Sequence, residues 1–213
     1  MWGWQVASRD QLHARLKAVP GNVPPRGVGR KYDHAENYVM RDLAWTLANT
    51  TTLFTYPLSI AKGQSPDFDV QIAGQAIGVE VTDAIPNSFA KAIVEQNREY
   101  RDQGRAYAIS CSESGDDAER QWAEVIANAV DKKLGKLNDP HWRRQDQNWL
   151  AVHDVAPQAV GDLGLACFYL HERLAALPHH DVNFDRVFVE RPIRGNGDTI
   201  LMVTTERVRA HQP

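Results

Sequence analysis

Residues 65–83 read SPDFDVQIAGQAIGVEVTD. Two runs of alternating character, DFDVQI (67–72) and AIGVEVTD (76–83), flank the break Ala73-Gly74-Gln75, which is the pattern of a β-hairpin. Alternate side chains of a strand share a face. Asp67 and Asp69 therefore fall on one side, with Phe68 and Val70 on the other. On the second strand Val79 and Val81 point to the core and leave Glu80 and Thr82 opposite. Pairing through a short turn brings Asp67 near Glu80. Two carboxylates on a rigid sheet suit a hard cation such as Mg²⁺, which polarises a phosphoryl oxygen and makes water a better nucleophile. The same spacing also describes two solvent-facing acids on an ordinary hairpin.

Outward from the hairpin the pattern is mixed α and β. A short leading helix precedes the Gly/Pro-rich stretch VPGNVPPRGVGR (19–30), which reads as a loop. A helical pattern covers Asp33 to Asn49, and LFTYPLSI (53–60) reads as a strand ahead of the hairpin. A polar helix follows over 87–103, then the loop SCSESGDD (110–117) and a long helix from Ala118 to Leu137. NWLAVHD (148–154) is a strand and 158–177 a helix. RVFVERPI (186–193) and DTILMVTTER (198–207) form a hairpin turned at Gly195-Asn196-Gly197.

The chain of 213 residues, 43% hydrophobic and 24% charged, is expected to form a single domain over 1–213, with a core at about 33–154, an N-terminal helix and loop at 1–31, and a C-terminal helix and hairpin at 155–213. No apolar run approaches the roughly 18 residues of a membrane span, and the first residues lack a continuous apolar stretch, so a soluble cytoplasmic protein without membrane partners is expected. Cys111 and Cys167 have no CxxC spacing and read as packed thiols. A net charge of −3 gives no global attraction to nucleic acid.

Pro66-Asp67, followed thirteen positions later by Glu80-Val81-Thr82, resembles the PD-(D/E)xK nuclease superfamily. The order helix, three strands, helix, strand over Asp33 to Asp154 is similar to that superfamily's αβββαβ core. The resemblance implies a restriction-endonuclease-like α/β fold, with a mixed central sheet flanked by helices. It implies a Mg²⁺- or Mn²⁺-dependent endonuclease acting on DNA, with Asp67 and Glu80 as metal ligands. Enzymes of this type often form homodimers. The usual final lysine is replaced by Thr82, and some branches with Glu-x-Thr place that lysine on the following helix.

Stepping about 100° per residue along that helix, Trp122, Ile126, Ala129, Val130 and Leu137 form an apolar stripe. Lys133 falls in its middle, Lys136 toward one edge, and Lys132 toward the polar face with Glu124, Asn128 and Asp131. A charge amid a core-facing stripe needs a partner, so Lys133 is the candidate migrated lysine, with Lys136 a phosphate contact and Thr82 a hydrogen-bond partner for a metal-bound water. All three lysines also lie near a helix C-terminus, where cations are favoured. On the helix from Asp33 to Asn49, Glu36 sits in the stripe of Val39, Met40, Leu43 and Leu47. It resembles the supporting glutamate found on the first core helix of the superfamily and is the third expected metal ligand, although a first-turn glutamate also suits the helix dipole.

Arg26, Arg30 and Lys31 form one basic group, and Lys132 to Arg144 holds five Lys or Arg against one Asp. Arg26, Arg30, Lys31, Lys132, Arg143 and Arg144 are the candidate nucleic-acid contacts. Trp142 and Trp149 read as core or rim residues, with base stacking as the alternative. His179-His180-Asp181 and His153-Asp154 lack the i, i+4 spacing of a helical zinc site and read as loop and strand-end polar residues. A non-catalytic binding module and a ribonuclease effector on the same fold are the competing expectations.

Overall fold

The computed structural model of the protein describes residues 2–20, 31–85, 117–137, 139–155, 160–177, 184–193 and 197–204. The expected helix over 87–103, the loop at 110–116, Cys111, His179-His180-Asp181 and the Gly195-Asn196 turn lie outside the described residues, as do Arg26 and Arg30.

The chain order is β1 (Trp4–Val6), α1 (Arg9–Leu16), α2 (Tyr32–Thr50), β2 (Leu58–Lys62), β3 (Phe68–Ile72), β4 (Gln75–Ala84), α3 (Ala118–Leu137), β5 (Gln147–Asp154), α4 (Leu163–Ala175), β6 (Arg186–Ile193) and β7 (Gly197–Thr204). All seven strands join one sheet in sequence order. β1 to β4 are antiparallel, β4–β5 and β5–β6 parallel, and β6–β7 antiparallel. The sheet is thus mixed, as expected.

Two apolar cores lie on its two faces. Phe68, Val70, Ile77, Val79, Val81, Trp149, Ala151 and Phe188 meet α1 and α2 on one side. Ala84, Leu150, Val152, Val187 and Val189 meet α3 and α4 on the other. Seven of the eight residues of β5 are buried, because a central strand covered on both faces has no solvent side. That accounts for the near-continuous apolar run NWLAV.

Several boundaries differ from the sequence expectation. The leading segment is not simply helical: Trp4–Val6 pairs with Leu58–Ile60 as the sheet edge before α1 begins, and Trp2 stacks on Trp4 and packs edge-on against Phe68. Such a three-residue edge strand is fixed by long-range pairing and is too short to show a period. β2 begins only at Leu58, immediately after Pro57, whose missing N–H cannot join a ladder. α4 starts at Leu163 rather than 158, where Asp162 caps it by accepting from the Leu165 N–H at 3.0 Å.

The β3–β4 turn is the tight two-residue kind. Ile72 pairs with Gln75, and the intervening Ala73 and Gly74 have φ of 49° and 83°. Positive φ at both central positions gives the twist that matches flanking strands. Glycine accepts this freely, whereas alanine does so at a cost. No helix among the described residues is long and apolar enough to cross a membrane.

Candidate functional site

The hairpin places its two faces as the alternation predicts. Val79 and Val81 enter the α2-side core, while Glu80 faces α3 and is only 2% exposed. A buried carboxylate is costly without partners. Its Oε1 accepts from Lys133 Nζ at 2.5 Å and from Lys136 Nζ at 3.3 Å. The two lysines differ in setting: the Lys133 side chain is 13% exposed and that of Lys136 58%.

The buried stripe of α3 runs through Trp122, Ala123, Ile126, Ala127, Val130, Leu134 and Leu137. Its centre is therefore rotated from the expected one. Ala129 is half-buried, and Lys133 lies on the flank of the stripe, turned toward β4. The rotation arises because α3 packs against α4 as well as the sheet. Lys132 is exposed.

Asp67 sits one residue before β3 and is fixed by backbone. Its Oδ2 accepts from the Val81 N–H at 2.8 Å, and its carbonyl accepts from the Gly63 N–H at 2.8 Å. Pro66 is wedged in the same turn. A Cβ on Gly78 would lie 2.7 Å from Pro66 Cγ and 3.1 Å from Gln145 Cγ, and one on Gly63 would collide with the Pro66 carbonyl oxygen. These two glycines let the turn close down on β4 and hold Asp67 beside Glu80. Neither was singled out from sequence, although GVEV did place a small residue two positions before the glutamate.

Burial is the main cause lifting the Asp67 carboxyl from 3.8 to about 6, followed by the charge of Glu80 and then that of Glu36; the Val81 N–H and Lys133 oppose the rise. Asp67 and Glu80 are thus close enough to repel. At Lys136 burial pulls the ammonium down, but the charge and hydrogen bond of Glu80 outweigh it and the group titrates above its usual range.

Glu36 lies in the α2 stripe as expected, half-buried, and its carboxylate is bonded by Lys62, whose ammonium also covers the Phe68 ring at 4.1 Å. It acts on Asp67 through its field. Among the described residues no group of three or more His, Cys, Asp or Glu is gathered for a metal ion. Of the three carboxylates expected from sequence, Asp67 and Glu80 stand together, while Glu36 is paired with Lys62. Two hard-oxygen donors, one with its charge resisted by burial and its neighbour, fit a cation such as Mg²⁺, which is commonly held by one or two carboxylates with water and substrate oxygens completing the shell.

Thr82 is half-buried on the Glu80 face of β4. Asp69, on that face of β3, accepts from Gln145 Nε2 at 2.9 Å and is bonded by Arg143, which brings part of the second basic group against the hairpin. Lys31 and Arg144 are exposed. Trp142 and Trp149 are both buried; Trp142 donates to Asn148 Oδ1 at 3.4 Å and Trp149 packs edge-on against Phe188, so neither offers a face to a base.

His153 and Asp154, read from sequence as strand-end polar residues, are buried. The parallel register aligns Asp83, His153 and Glu190 across β4, β5 and β6. His153 Nδ1 lies 3.2 Å from Asp83 Oδ1 and Nε2 lies 3.3 Å from Glu190 Oε2. On the other face Asp154 Oδ2 accepts from Trp122 Nε1 at 2.6 Å and from Arg191 Nη1 at 3.0 Å. These contacts lock the ends of the parallel strands. No local period could reveal them, because their partners are 32 to 70 residues away.

Fold and site together define an α/β mixed-sheet protein with a buried carboxylate held by two lysines of the helix that follows its strand. No family model matches the chain, and no curated protein matches it. Among solved structures, one of Pyrococcus furiosus SfsA in complex with Ca²⁺ aligns at 14% identity with a TM-score of 0.23, covering 81% of this chain and 61% of that one. The chain thus spans less than two thirds of that structure's length, and a likeness this slight carries no argument about fold or function.

Proposed function

We propose that this protein is a divalent-metal-dependent endonuclease of the PD-(D/E)xK kind, with a restriction-endonuclease-like core, hydrolysing phosphodiester bonds in DNA. The observation that carries the reading is Glu80: a carboxylate buried on a sheet strand beside Asp67 and bonded by Lys133 and Lys136. An acid whose carboxyl is raised by burial and a neighbouring charge, as Asp67's is, marks a candidate chemical site rather than a solvated hairpin. The order α2-β2-β3-β4-α3-β5 also supports the αβββαβ core.

Mg²⁺ or Mn²⁺, when held by Asp67 and Glu80, supplies the Lewis acidity that polarises the phosphate and activates water. The chain's own residues do the rest. The Val81 N–H orients Asp67, and Pro66 on Gly78 keeps it against β4. Lys133, on the buried side, orients the attacking water or stabilises charge on the scissile phosphate. Thr82 offers its hydroxyl as a further hydrogen bond on the same face. Glu36 and Lys62 set the field at the edge of the site. Lys31, Lys132, Arg143 and Arg144 present cations to the phosphodiester backbone, contacts that position a strand without reading its sequence.

The test is incubation of purified protein with end-labelled DNA and RNA in Mg²⁺, Mn²⁺ or EDTA. Cleavage of DNA that needs a divalent cation, lost in Glu80→Ala and Lys133→Ala but kept in Lys132→Ala, is the expected result. Cleavage of RNA alone moves the substrate to RNA, and a wild type indistinguishable from Glu80→Ala on both substrates refutes the enzyme reading in favour of a binding module.

A further inference from the structure

We propose that Lys136 is an exchangeable counter-ion of Glu80: an incoming polyanionic backbone draws Lys136 onto its phosphates and so opens Glu80 to the divalent cation. The proposal deepens, and rests on, the metal-dependent reading above.

The two ammonium groups converge on one oxygen, Glu80 Oε1, but they are not equivalent. Lys133 is held at 2.5 Å with its side chain 13% exposed, and Lys136 at 3.3 Å with its side chain 58% exposed. An exposed ion pair is worth about 0–1 kcal/mol and parts easily, whereas breaking a buried one is strongly resisted. Lysine is a compact point charge on a flexible four-carbon stem, so Lys136 can leave Glu80 while its backbone stays in α3.

Charge balance gives the exchange a direction. With Asp67 and Glu80 ionised, the two ammonium groups neutralise the pair, and Glu36 is separately matched by Lys62. A divalent cation entering this half-buried place adds two positive charges beside two that are already there. When Lys136 moves to an arriving phosphodiester the excess falls to one, and the negative charge of the phosphate brought beside the cation offsets that one. Cation and polyanion then favour one another, and by linkage each tightens the other by the same factor. Before the backbone arrives, Lys136 competes with the cation for the same oxygen.

The experiment titrates Mn²⁺ into the full chain, read as free Mn²⁺ by electron paramagnetic resonance, without DNA and with a phosphorothioate DNA duplex as the uncleaved polyanion, corrected for duplex alone. Removing the competitor in Lys136→Gln should tighten Mn²⁺ binding without DNA about two- to five-fold, the factor matching the worth of an exposed pair, and should shrink the tightening that DNA gives to the wild type. Lys136→Arg, which keeps the charge, should retain the wild-type pattern. Mn²⁺ binding that is unchanged or weaker in Lys136→Gln, with the DNA-induced gain intact, overturns the exchange while leaving the metal reading standing, provided Asp67→Asn still weakens binding. A wild type that binds no Mn²⁺ with or without DNA overturns both.

Discussion

Replacing Asp67 by Asn should make the cation-free protein more stable at pH 8. The Asp67 carboxyl is lifted from 3.8 to about 6 by burial and by Glu80, so the folded state holds this proton more tightly than the unfolded chain does. A raised folded value means that the stability linked to the group is fully present below the unfolded value, near pH 3.8, and is lost as pH rises through about 6. A shift of this size corresponds to about 3 kcal/mol of stability forgone at pH 8, at 1.36 kcal/mol per pH unit. Asparagine keeps an oxygen for the Val81 N–H and removes the charge. The variant should therefore gain up to about 3 kcal/mol at pH 8, and its advantage should narrow by about 1.4 kcal/mol at pH 5, where the wild-type carboxyl is mostly protonated. Urea denaturation of both proteins in EDTA at the two pH values measures this. A variant that is less stable than wild type at pH 8, or an advantage that does not change with pH, would refute the placement of Asp67 in a half-buried, negatively charged setting. A gain in stability with loss of metal binding is the signature of a site kept charged for its chemistry.

The two lysines on Glu80 should separate in the same assay: Lys133→Met should cost about 3–5 kcal/mol, as expected when one partner of a buried pair is removed, and Lys136→Met no more than about 1 kcal/mol. Gly78→Ala should push Pro66 off β4, lowering stability by about 1–3 kcal/mol and returning the Asp67 carboxyl toward its ordinary range as it moves into water, which a carbon-13 carboxyl titration by NMR would detect. At the hairpin, Ala73→Asn should stabilise by about 0.5–1 kcal/mol, because asparagine tolerates the positive φ that alanine holds there; an unchanged denaturation midpoint would argue against that turn geometry.

Strong periodicity made several elements legible in advance. α3 falls on Ala118–Leu137 as the spacing predicts, and the hairpin turns where Ala73-Gly74 breaks the alternation. That Lys133 faces the Glu80 side was expected from the resemblance together with the helical stripe, although the structure sets it on the flank of that stripe rather than at its centre. The edge strand Trp4–Val6 and the late start of α4 at Leu163 escaped because a short strand has no measurable period and a cap depends on one side chain.

The sequence by itself thus determined which faces the acids and lysines occupy, since side-chain direction follows from position along a strand or helix. Only the tertiary structure decided who pairs with whom. It gave Glu36 to Lys62 and Asp69 to Arg143. It set two lysines on one oxygen of Glu80 and seated Pro66 on Gly78 so that Asp67 is held beside Glu80. Those outcomes depend on distances between segments far apart in the chain, and the buried locks around His153 and Asp154 depend on the register of three parallel strands. Local pattern carries no information about either.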